Sequence, residues 1–406
     1  MKIFLLSPIY ATTTKGSGAT PVVHYFAKEW VAQGHEVHVI NLRARFPRIF
    51  YWISNKFQHR LNSRLGVLLP IDSPSDEDYI ADGVDVHCRT MQKVIPHSKY
   101  SHSKIMRAVD VISNFCELYG SPDVFIGHWH NPQLEVLSEL KKKYDIKTCL
   151  VLHENKFSMH EIYKERLLPL LSYIDVVGFR NPSAKNDYIN RYGMPKSSFI
   201  AYSGVSKPFL EAGLQYAPTF EYGVRDFVFV GALISRKYPT EIVKALDSVY
   251  NIESYSMKFI GDGAEKNNIV SAVNECNKKN IKFTGRIARD QIIEHLKLSQ
   301  VFVMISKDEV FGLVYLEAMA LGLIPIGSKN EGIDGIIKDG ENGFLCEAGN
   351  ERELVSIISR IKAMSKNELE RISKNAKQTA SEYSDSSVAK KYLEDVMNEN
   401  NCSENW

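Results

Sequence analysis

Short apolar runs alternate with helical patterns along almost the whole chain, and this alternation constrains the fold more than any other feature. Residues 2–7 form a continuous apolar run, and residues 22–31 then repeat apolar side chains at helical spacing. Further runs of strand length occur at 36–40, 86–89, 124–128, 148–153, 176–179 and 199–202. Strands that are apolar on both faces and separated by helices predict a parallel sheet covered on both sides.

A second set of such runs begins after a turn-rich segment and occupies residues 227–231, 257–260, 281–284, 301–305 and 324–327. We therefore predict an α/β chain of two doubly wound, Rossmann-like domains with a cleft between them. The predicted parts are a first domain, a linker, a second domain, and a C-terminal helix and tail that packs back on the first domain: 1–205, 206–222, 223–385 and 386–406. Ligands in such folds bind where the strands end, so the following loops should carry the chemistry.

The composition excludes several classes of protein. The 406 residues carry 50 basic and 48 acidic side chains, which argues against a uniformly polycationic nucleic-acid binder. The charge is uneven, because residues 1–200 hold 25 basic and 19 acidic side chains (+6) and residues 201–406 hold 25 and 29 (−4). The six cysteines are far apart, which indicates a reduced, cytosolic chain with neither a disulfide framework nor a zinc site.

Two short motifs resemble known ligand-binding motifs, but the residues around them argue against that function. Gly16-Ser17-Gly18 follows the first strand, but Pro21 stands where a dinucleotide fingerprint has its third glycine. The loop is then either a flexible turn or a place where helix N–H groups meet a phosphate or a sugar. Asp76-Glu77-Asp78 resembles a metal–nucleotide triplet, but it follows a polar stretch and is predicted to be a solvated loop.

The segment 306–322 is the most informative part of the chain. It follows an apolar strand, and a helix should begin near Gly312 and end at Gly322, with Glu309 in the loop and Glu317 inside the helix. Free N–H groups near Phe311, Gly312 and Leu313 would point into the cleft at the positive end of the helix. The two carboxylates could accept hydrogen bonds from sugar hydroxyls, or could simply cap the helix and face solvent.

In these residues the chain resembles the retaining glycosyltransferases of family 4, which have the two-domain GT-B fold. Glu309 and Glu317 fit that family's E-x7-E signature, including the Phe-Gly after the first glutamate. Further short matches occur in the family's order along nearly the whole chain: Gly16-Ser17-Gly18, Phe229-Val230-Gly231 with Lys237, Ile260-Gly261-Asp262-Gly263, Phe283-Thr284-Gly285-Arg286 and Asp339-Gly340-Glu341-Asn342-Gly343-Phe344-Leu345. Their order and spacing make the resemblance specific.

The resemblance implies that domain 1–205 binds the acceptor and domain 223–385 binds the donor, and it implies roles for individual residues. Glu309 would contact hydroxyls of the transferred sugar, Glu317 would hold the ribose, and Lys237 with Arg236 would neutralise the diphosphate. His128, after the strand 124–128, would face the sugar and the acceptor, so the implied catalytic residues are His128, Lys237 and Glu309. The implied donor site is Gly16, Gly18, Arg236, Lys237, Gly263, Arg286, Glu309, Phe311, Gly312, Leu313 and Glu317.

The chain departs from the family pattern at Ala232, where many members have a second phosphate-binding arginine. Arg236 could compensate from a different position, so its role is less firmly implied than that of Lys237. No metal and no other cofactor is expected, because protein cations would neutralise the leaving diphosphate and the sugar nucleotide is itself a substrate.

Residues 37–71 contain no Asp or Glu and include a cationic amphipathic pattern with aromatic side chains. This pattern is typical of a helix that lies on an anionic membrane, although a surface helix that packs on its own domain remains open. The predicted membrane and acceptor residues are Arg48, Phe50, Trp52, Lys56, Phe57, Arg60 and Arg64.

Together these features predict a cytoplasmic enzyme, peripheral on the inner face of the membrane. It would move a hexose or N-acetylhexosamine from a nucleoside-diphosphate sugar, with UDP favoured, to a glycan acceptor linked to polyprenyl diphosphate. The resemblance places this in surface polysaccharide synthesis, such as lipopolysaccharide, without nucleic acid as a partner. A nucleotide-sugar epimerase of the same fold and a non-catalytic sugar- or lipid-binding homologue are the alternatives.

Overall fold

Two parallel sheets, each covered by helices on both faces, form the protein. The computed structural model describes residues 1–12, 21–54, 56, 72–95, 98–250, 255–275 and 280–398. The first sheet has the order β3-β4-β2-β1-β5-β6-β7-β8 and is parallel except for β3. Its strands are β1 Lys2–Ser7, β2 Glu36–Arg45, β3 Glu77–Ala81, β4 Val84–Gln92, β5 Val124–His128, β6 Lys147–Leu152, β7 Val176–Phe179 and β8 Ser198–Ile200.

The second sheet is parallel throughout and has the order β11-β10-β9-β12-β13-β14. Its strands are β9 Asp226–Val230, β10 Ser256–Ile260, β11 Ile281–Gly285, β12 Val301–Val303, β13 Ile324–Ser328 and β14 Phe344–Cys346. The two-domain, doubly wound α/β fold predicted from the alternation is confirmed, because apolar runs buried on both faces form the central strands of both sheets.

The helices lie between the strands in chain order. In the first domain they are α1 Val22–Ala32, α2 48–54, α3 His102–Tyr119, α4 Gln133–Tyr144, α5 Met159–Tyr163, α6 Leu167–Leu171 and α7 Pro182–Tyr192. The remaining helices are α8 Lys207–Gln215, α9 Pro239–Tyr250, α10 Lys266–Glu275, α11 Ile292–Leu296, α12 Leu313–Ala320, α13 Glu351–Ala363, α14 Lys366–Glu382 and α15 Asp385–Met397. Within the described residues, no helix is long and apolar enough to cross a membrane.

Each sheet has one point where successive strands are added on opposite sides. In the second sheet β10 and β11 lie on one side of β9, and β12 lies on the other. The loops that follow β9 and β12 therefore leave the sheet side by side, at the position where doubly wound folds bind ligands. In the first sheet the equivalent loops follow β1 and β5.

One local prediction from the sequence was wrong, and one predicted segment contains an additional helix. Residues 77–78, taken as a solvated loop, begin strand β3, which pairs with β4. The strand is stabilised by arginines of neighbouring strands, since Arg43 lies 2.9 Å from Glu77 and Arg89 lies 2.5 Å from Asp78. The expected linker contains helix α8, whose Phe209 is buried in the core of the second domain.

The last helix returns to the first domain. The indole Nε1 of Trp30 donates a hydrogen bond of 2.8 Å to the carbonyl of Ala389, and Tyr392 packs on Trp30 and Phe199. The chain thus crosses between the domains twice. The two crossings are bonded to each other, because Val205 N–H donates to the carbonyl of Tyr383 and Asp385 N–H donates to that of Val205.

Candidate active site

The loop between β12 and α12 forms the centre of the candidate site. Gly312, the residue before the helix, has φ of +75°, and a Cβ atom there would lie 2.7 Å from the ring of Tyr315. Only glycine meets both conditions without strain. The turn allows helix α12 to begin at Leu313, close to the predicted position, with the N–H groups of its first turn at the positive end of the helix.

Glu309 lies in this loop and binds two cations from the loop after β9. Its Oε2 is 2.9 Å from Nζ of Lys237 and 3.5 Å from a guanidinium nitrogen of Arg236. Lys237 is 8% exposed, whereas Arg236 is exposed. Burial raises the pKa of Glu309, but the two cations outweigh burial and hold it below its ordinary value. The site therefore contains an ionised carboxylate beside two positive charges.

Close backbone contacts between the loops after β9 and β10 position these cations. A Cβ on Gly261 would lie 1.9 Å from the carbonyl oxygen of Gly231, and one on Gly263 would lie 2.2 Å from that of Leu233. These glycines are required because the two loops touch through their backbones. The first loop then closes into a short 3₁₀ turn, Ser235–Lys237, that ends in the two cations.

Glu317 is 3% exposed and is bound by an arginine that the sequence interpretation did not include. A guanidinium nitrogen of Arg289 binds Oε1 of Glu317, and the guanidinium carbon lies 5.3 Å from the ring centroid of Tyr25 on α1. Burial raises the pKa of Glu317, and Arg289 opposes that rise. Arg286, which the resemblance placed beside the nucleotide, is exposed three residues earlier.

Two asparagines of the first domain hold the Glu309 loop, and no motif or spacing in the sequence marks them. Nδ2 of Asn155 donates to the carbonyl of Glu309 at 2.9 Å, and Nδ2 of Asn181 donates to the carbonyl of Val310 at 2.7 Å. Nδ2 of Asn181 also donates to Oδ1 of Asn155. Behind the loop, the carboxylate of Glu331 accepts from the N–H of Glu309 at 2.7 Å. The loop that contains Glu309 is therefore held from both domains.

His128 ends β5 as predicted but does not face open space. It is 0% exposed; its Nδ1 is 2.8 Å from Nε2 of His153, and its Nε2 is 3.3 Å from the hydroxyl of Tyr392 on the returning helix. Burial, and then the charge of Arg180, lower the pKa of His128 to about 3. In this arrangement His128 is a neutral imidazole, and both of its ring nitrogens are hydrogen-bonded to His153 and Tyr392. The His128 side chain would have to leave these partners before it could contact a sugar.

Arg180 is a second buried cation near the cleft. It is 2% exposed and donates to the carbonyl of Ala201 and the hydroxyl of Ser203, just before the interdomain crossing at Val205. Its guanidinium carbon lies 5.4 Å from the ring centroid of Phe311, the predicted donor-site residue before Gly312. Arg180 thus links this crossing to the start of helix α12.

The remaining predicted residues fall into two groups. Gly16, Gly18, Phe57, Arg60 and Arg64 lie outside the described residues. Arg48, Phe50, Trp52 and Lys56 belong to or follow helix α2, where Trp52 is 61% exposed and Nζ of Lys56 lies 5.1 Å from its ring centroid.

The apolar face of α2 differs in part from the predicted one. Phe50 turns inward and stacks on Phe46 with a 4.5 Å centroid separation. The apolar side chains that face solvent are those of Ile49, Trp52 and Ile53.

The comparisons with known proteins agree with this geometry. Residues 219–379 match the family described as glycosyl transferases group 1. An uncharacterised glycosyltransferase of Methanocaldococcus jannaschii is 26% identical over 270 residues, which cover 64% of this chain and 71% of that protein.

Solved structures share the fold over nearly the whole chain. A lipopolysaccharide outer core galactosyltransferase in its apo form superposes with a TM-score of 0.68 at 16% identity, covering 98% of this chain and 99% of its own. Anabaena HepE in complex with UDP and glucose gives a TM-score of 0.63 at 17% identity, covering 97% and 98%. At such identities the likeness shows the GT-B fold.

Proposed function

Since the chain has the GT-B fold and its residues 219–379 belong to the group 1 glycosyl transferases, we propose that it transfers a sugar from a nucleoside-diphosphate sugar to a glycan acceptor with retention of configuration. The observation that carries the proposal is the 2.9 Å contact between Lys237 and Glu309 at the start of α12. This contact places a cation that can bind a phosphate beside a carboxylate that can bind a sugar. Both lie where the loops after β9 and β12 leave the second sheet side by side.

Departure of the diphosphate is the step that this site favours. Negative charge builds on the phosphate oxygen as its bond to the anomeric carbon breaks. Lys237, Arg236 and the N–H groups at the start of α12 would stabilise that charge. When the diphosphate binds these cations, Glu309 is free to accept hydrogen bonds from the sugar hydroxyls.

Retention is proposed through front-face attack. The acceptor hydroxyl approaches from the side the diphosphate leaves, its oxygen bonds to the anomeric carbon, and the departing phosphate oxygen takes its proton. A carboxylate nucleophile beside the anomeric carbon, as in retaining hydrolases, is not required by this route. Because protein cations take the position that a metal would hold, we expect transfer to persist in EDTA.

The donor is proposed to be a UDP-sugar carrying a hexose or N-acetylhexosamine. Support comes from the solved GT-B neighbour that binds UDP and glucose. Glu317 would accept hydrogen bonds from the ribose, at the fifth residue of α12 and on the same helix whose start binds the diphosphate.

The acceptor is proposed to be a glycan linked to polyprenyl diphosphate at the inner face of the membrane, in the synthesis of a bacterial surface polysaccharide. The exposed apolar side chains Ile49, Trp52 and Ile53, next to Arg48 and Lys56, support contact with an anionic surface. The lipopolysaccharide galactosyltransferase among the structural neighbours supports the polysaccharide setting.

The proposal is tested by incubating the purified full chain with a panel of labelled UDP-, GDP- and ADP-sugars and lipid-linked glycan acceptors. We expect transfer from at least one donor, with the α configuration of the donor kept in the product. Epimerisation of a donor without transfer would favour the epimerase alternative. If no donor binds or reacts, the chain is not an enzyme acting on nucleotide sugars and the proposal is wrong.

A further inference from the structure

The carboxylate that would hold the ribose is already bound by an arginine, and that arginine also touches the other domain. Arg289 lies in the loop after β11, binds Oε1 of Glu317, and places its guanidinium carbon 5.3 Å from the ring centroid of Tyr25. Tyr25 is on α1 of the first domain, and Glu317 is on α12 of the second. Arg289 therefore lies across the interdomain cleft.

We propose that Arg289 is a positioning residue for the donor nucleotide, which holds the Glu317 carboxylate for the ribose hydroxyls and ties it to the first domain through Tyr25. The proposal deepens the proposed function and depends on it. It assigns to a residue outside the family signature a role in donor binding and in domain closure.

The first step of the argument is the geometry of the carboxylate. A carboxylate offers about four lone-pair sites on two oxygens. Arg289 binds at Oε1, so Oε2 can accept the ribose hydroxyls while Arg289 stays bound. The arginine fork and the carboxylate are both planar, which fixes the direction of Glu317 in the cleft.

The second step is the charge of the site. Glu317 is 3% exposed, and a buried carboxylate is stable in its ionised form only when a cation or several donors lie against it. Within the described residues, the groups that act on this region are Arg289 itself, Tyr25, Glu29 and Lys28 of α1, and Asp385 at the start of α15. Asp385 is acidic and favours protonation of Glu317, whereas Arg289 favours its ionised form, so Arg289 is the cation that offsets the burial of Glu317.

The third step is the link between the domains. A guanidinium over an aromatic ring is worth about 0.5–1 kcal/mol at an exposed site and more when the pair is desolvated. The contact forms only while α1 lies against the loop after β11. Opening of the cleft would remove Tyr25 from Arg289, so donor affinity and closure of the cleft should depend on each other.

The test is a calorimetric titration of the full chain with UDP, GDP and ADP at pH 6.5, 7.5 and 8.5, with the tightest-binding nucleotide followed in the variants. For Arg289→Gln we expect affinity at least tenfold below that of the unmodified protein at pH 6.5, with most of the loss recovered at pH 8.5. The reason is that loss of the cation favours the protonated form of Glu317, and a higher pH restores its ionised form. For Arg289→Lys, the ratio of its nucleotide affinity to that of the unmodified protein should be the same at all three pH values.

Three further variants complete the test, of which the first two are controls. Lys282→Gln removes one exposed cation from β11 and should bind as the unmodified protein does. The double variant Asp385→Asn/Arg289→Gln should show the same pH dependence of nucleotide affinity as Arg289→Gln alone. That result would assign the pH dependence to Glu317 and not to Asp385. Tyr25→Leu should weaken binding several-fold by an equal factor at every pH, because it removes the link to the first domain and leaves the charge.

An equal loss for Arg289→Gln at all three pH values, or no loss, would overturn the positioning role. Unchanged affinity in Tyr25→Leu would overturn the link to the first domain. If the unmodified protein binds none of the three nucleotides, the proposed function itself fails, and that result is distinct from a failure confined to the Arg289 variants.

Discussion

The side-chain Nδ2 of Asn155, in the first domain, donates a hydrogen bond of 2.9 Å to the backbone carbonyl of Glu309, in the second. We expect Asn155→Ala to reduce turnover about tenfold, since a lost hydrogen bond of about 1 kcal/mol also frees the loop that carries the carboxylate proposed to contact the sugar. Steady-state transfer kinetics measure this effect.

The matched control is Lys156→Ala. Its Nζ lies 3.3 Å from Asp308 of the same loop, but both side chains are about half exposed, so the ion pair contributes little. A larger effect on turnover for Lys156→Ala than for Asn155→Ala would contradict the role assigned to the asparagine.

Lys237→Met should reduce turnover about 10²–10³-fold, which is typical for the loss of one preorganised group that stabilises a leaving anion. Without its nearest cation, the pKa of Glu309 should also rise, because burial already favours the protonated form. Turnover of the variant should therefore fall further as the pH is lowered through that pKa. Arg236→Met, at an exposed position, should have the smaller effect in the same assay.

Gly312→Ala should weaken nucleotide binding, because a side chain at φ of +75° is strained by about 1–3 kcal/mol and its Cβ would meet the ring of Tyr315. Gly285→Ala is a suitable comparison, with φ of +71° and no atom within 4 Å of the added Cβ. Calorimetry with UDP compares the two variants. Equal affinities would show that the start of α12 does not depend on this glycine.

Asp385→Asn should raise the melting temperature by a few degrees at pH 8 and by little at pH 4.5. Burial, and then Glu29, raise the pKa of Asp385 to about 6. A carboxyl group whose pKa is raised by folding stabilises the fold when the pH is below the pKa that the group has in the unfolded chain. That contribution is lost as the pH rises through the folded-state pKa of about 6. Differential scanning calorimetry at the two pH values checks the prediction, and a gain that is equal at both would contradict it.

The combined replacement of Ile49, Trp52 and Ile53 by serine should release the protein from liposomes that contain anionic lipid. These side chains are exposed at the surface of α2 and have Arg48 beside them. Ile80→Ser, at a 72% exposed position on β3, is the control. Equal sedimentation of the two variants with the liposomes would remove α2 from the membrane contact.

The parts of the structure that could be predicted from the sequence are those with local signals. Continuous apolar runs identified most of the strands, and Gly312 and Gly322 marked the two ends of helix α12. Strand β3 was missed because it is polar and short, and its stability comes from arginines on other strands.

The contacts that were missed join residues far apart in the chain. Asn155 and Glu309 are separated by 154 positions, and His128 and Tyr392 by 264. No periodic pattern or motif in the sequence indicates that the members of either pair are in contact. The burial of His128 and the pairing of Arg289 with Glu317 follow from how the two domains and the last helix pack, which a linear pattern does not encode.

The return of helix α15 to the first domain has a consequence for biosynthesis. The cluster that Ala389, Tyr392, Leu393 and Val396 complete includes Phe26 and Trp30, which are made near the start of translation. The 359 positions that separate Trp30 from Ala389 take about 18–70 seconds to synthesise at about 5–20 residues per second, and only then can α15 cover these side chains. During that interval the nascent chain presents an open apolar groove beside the ribosome, so the domain that is made first is the one that is finished last.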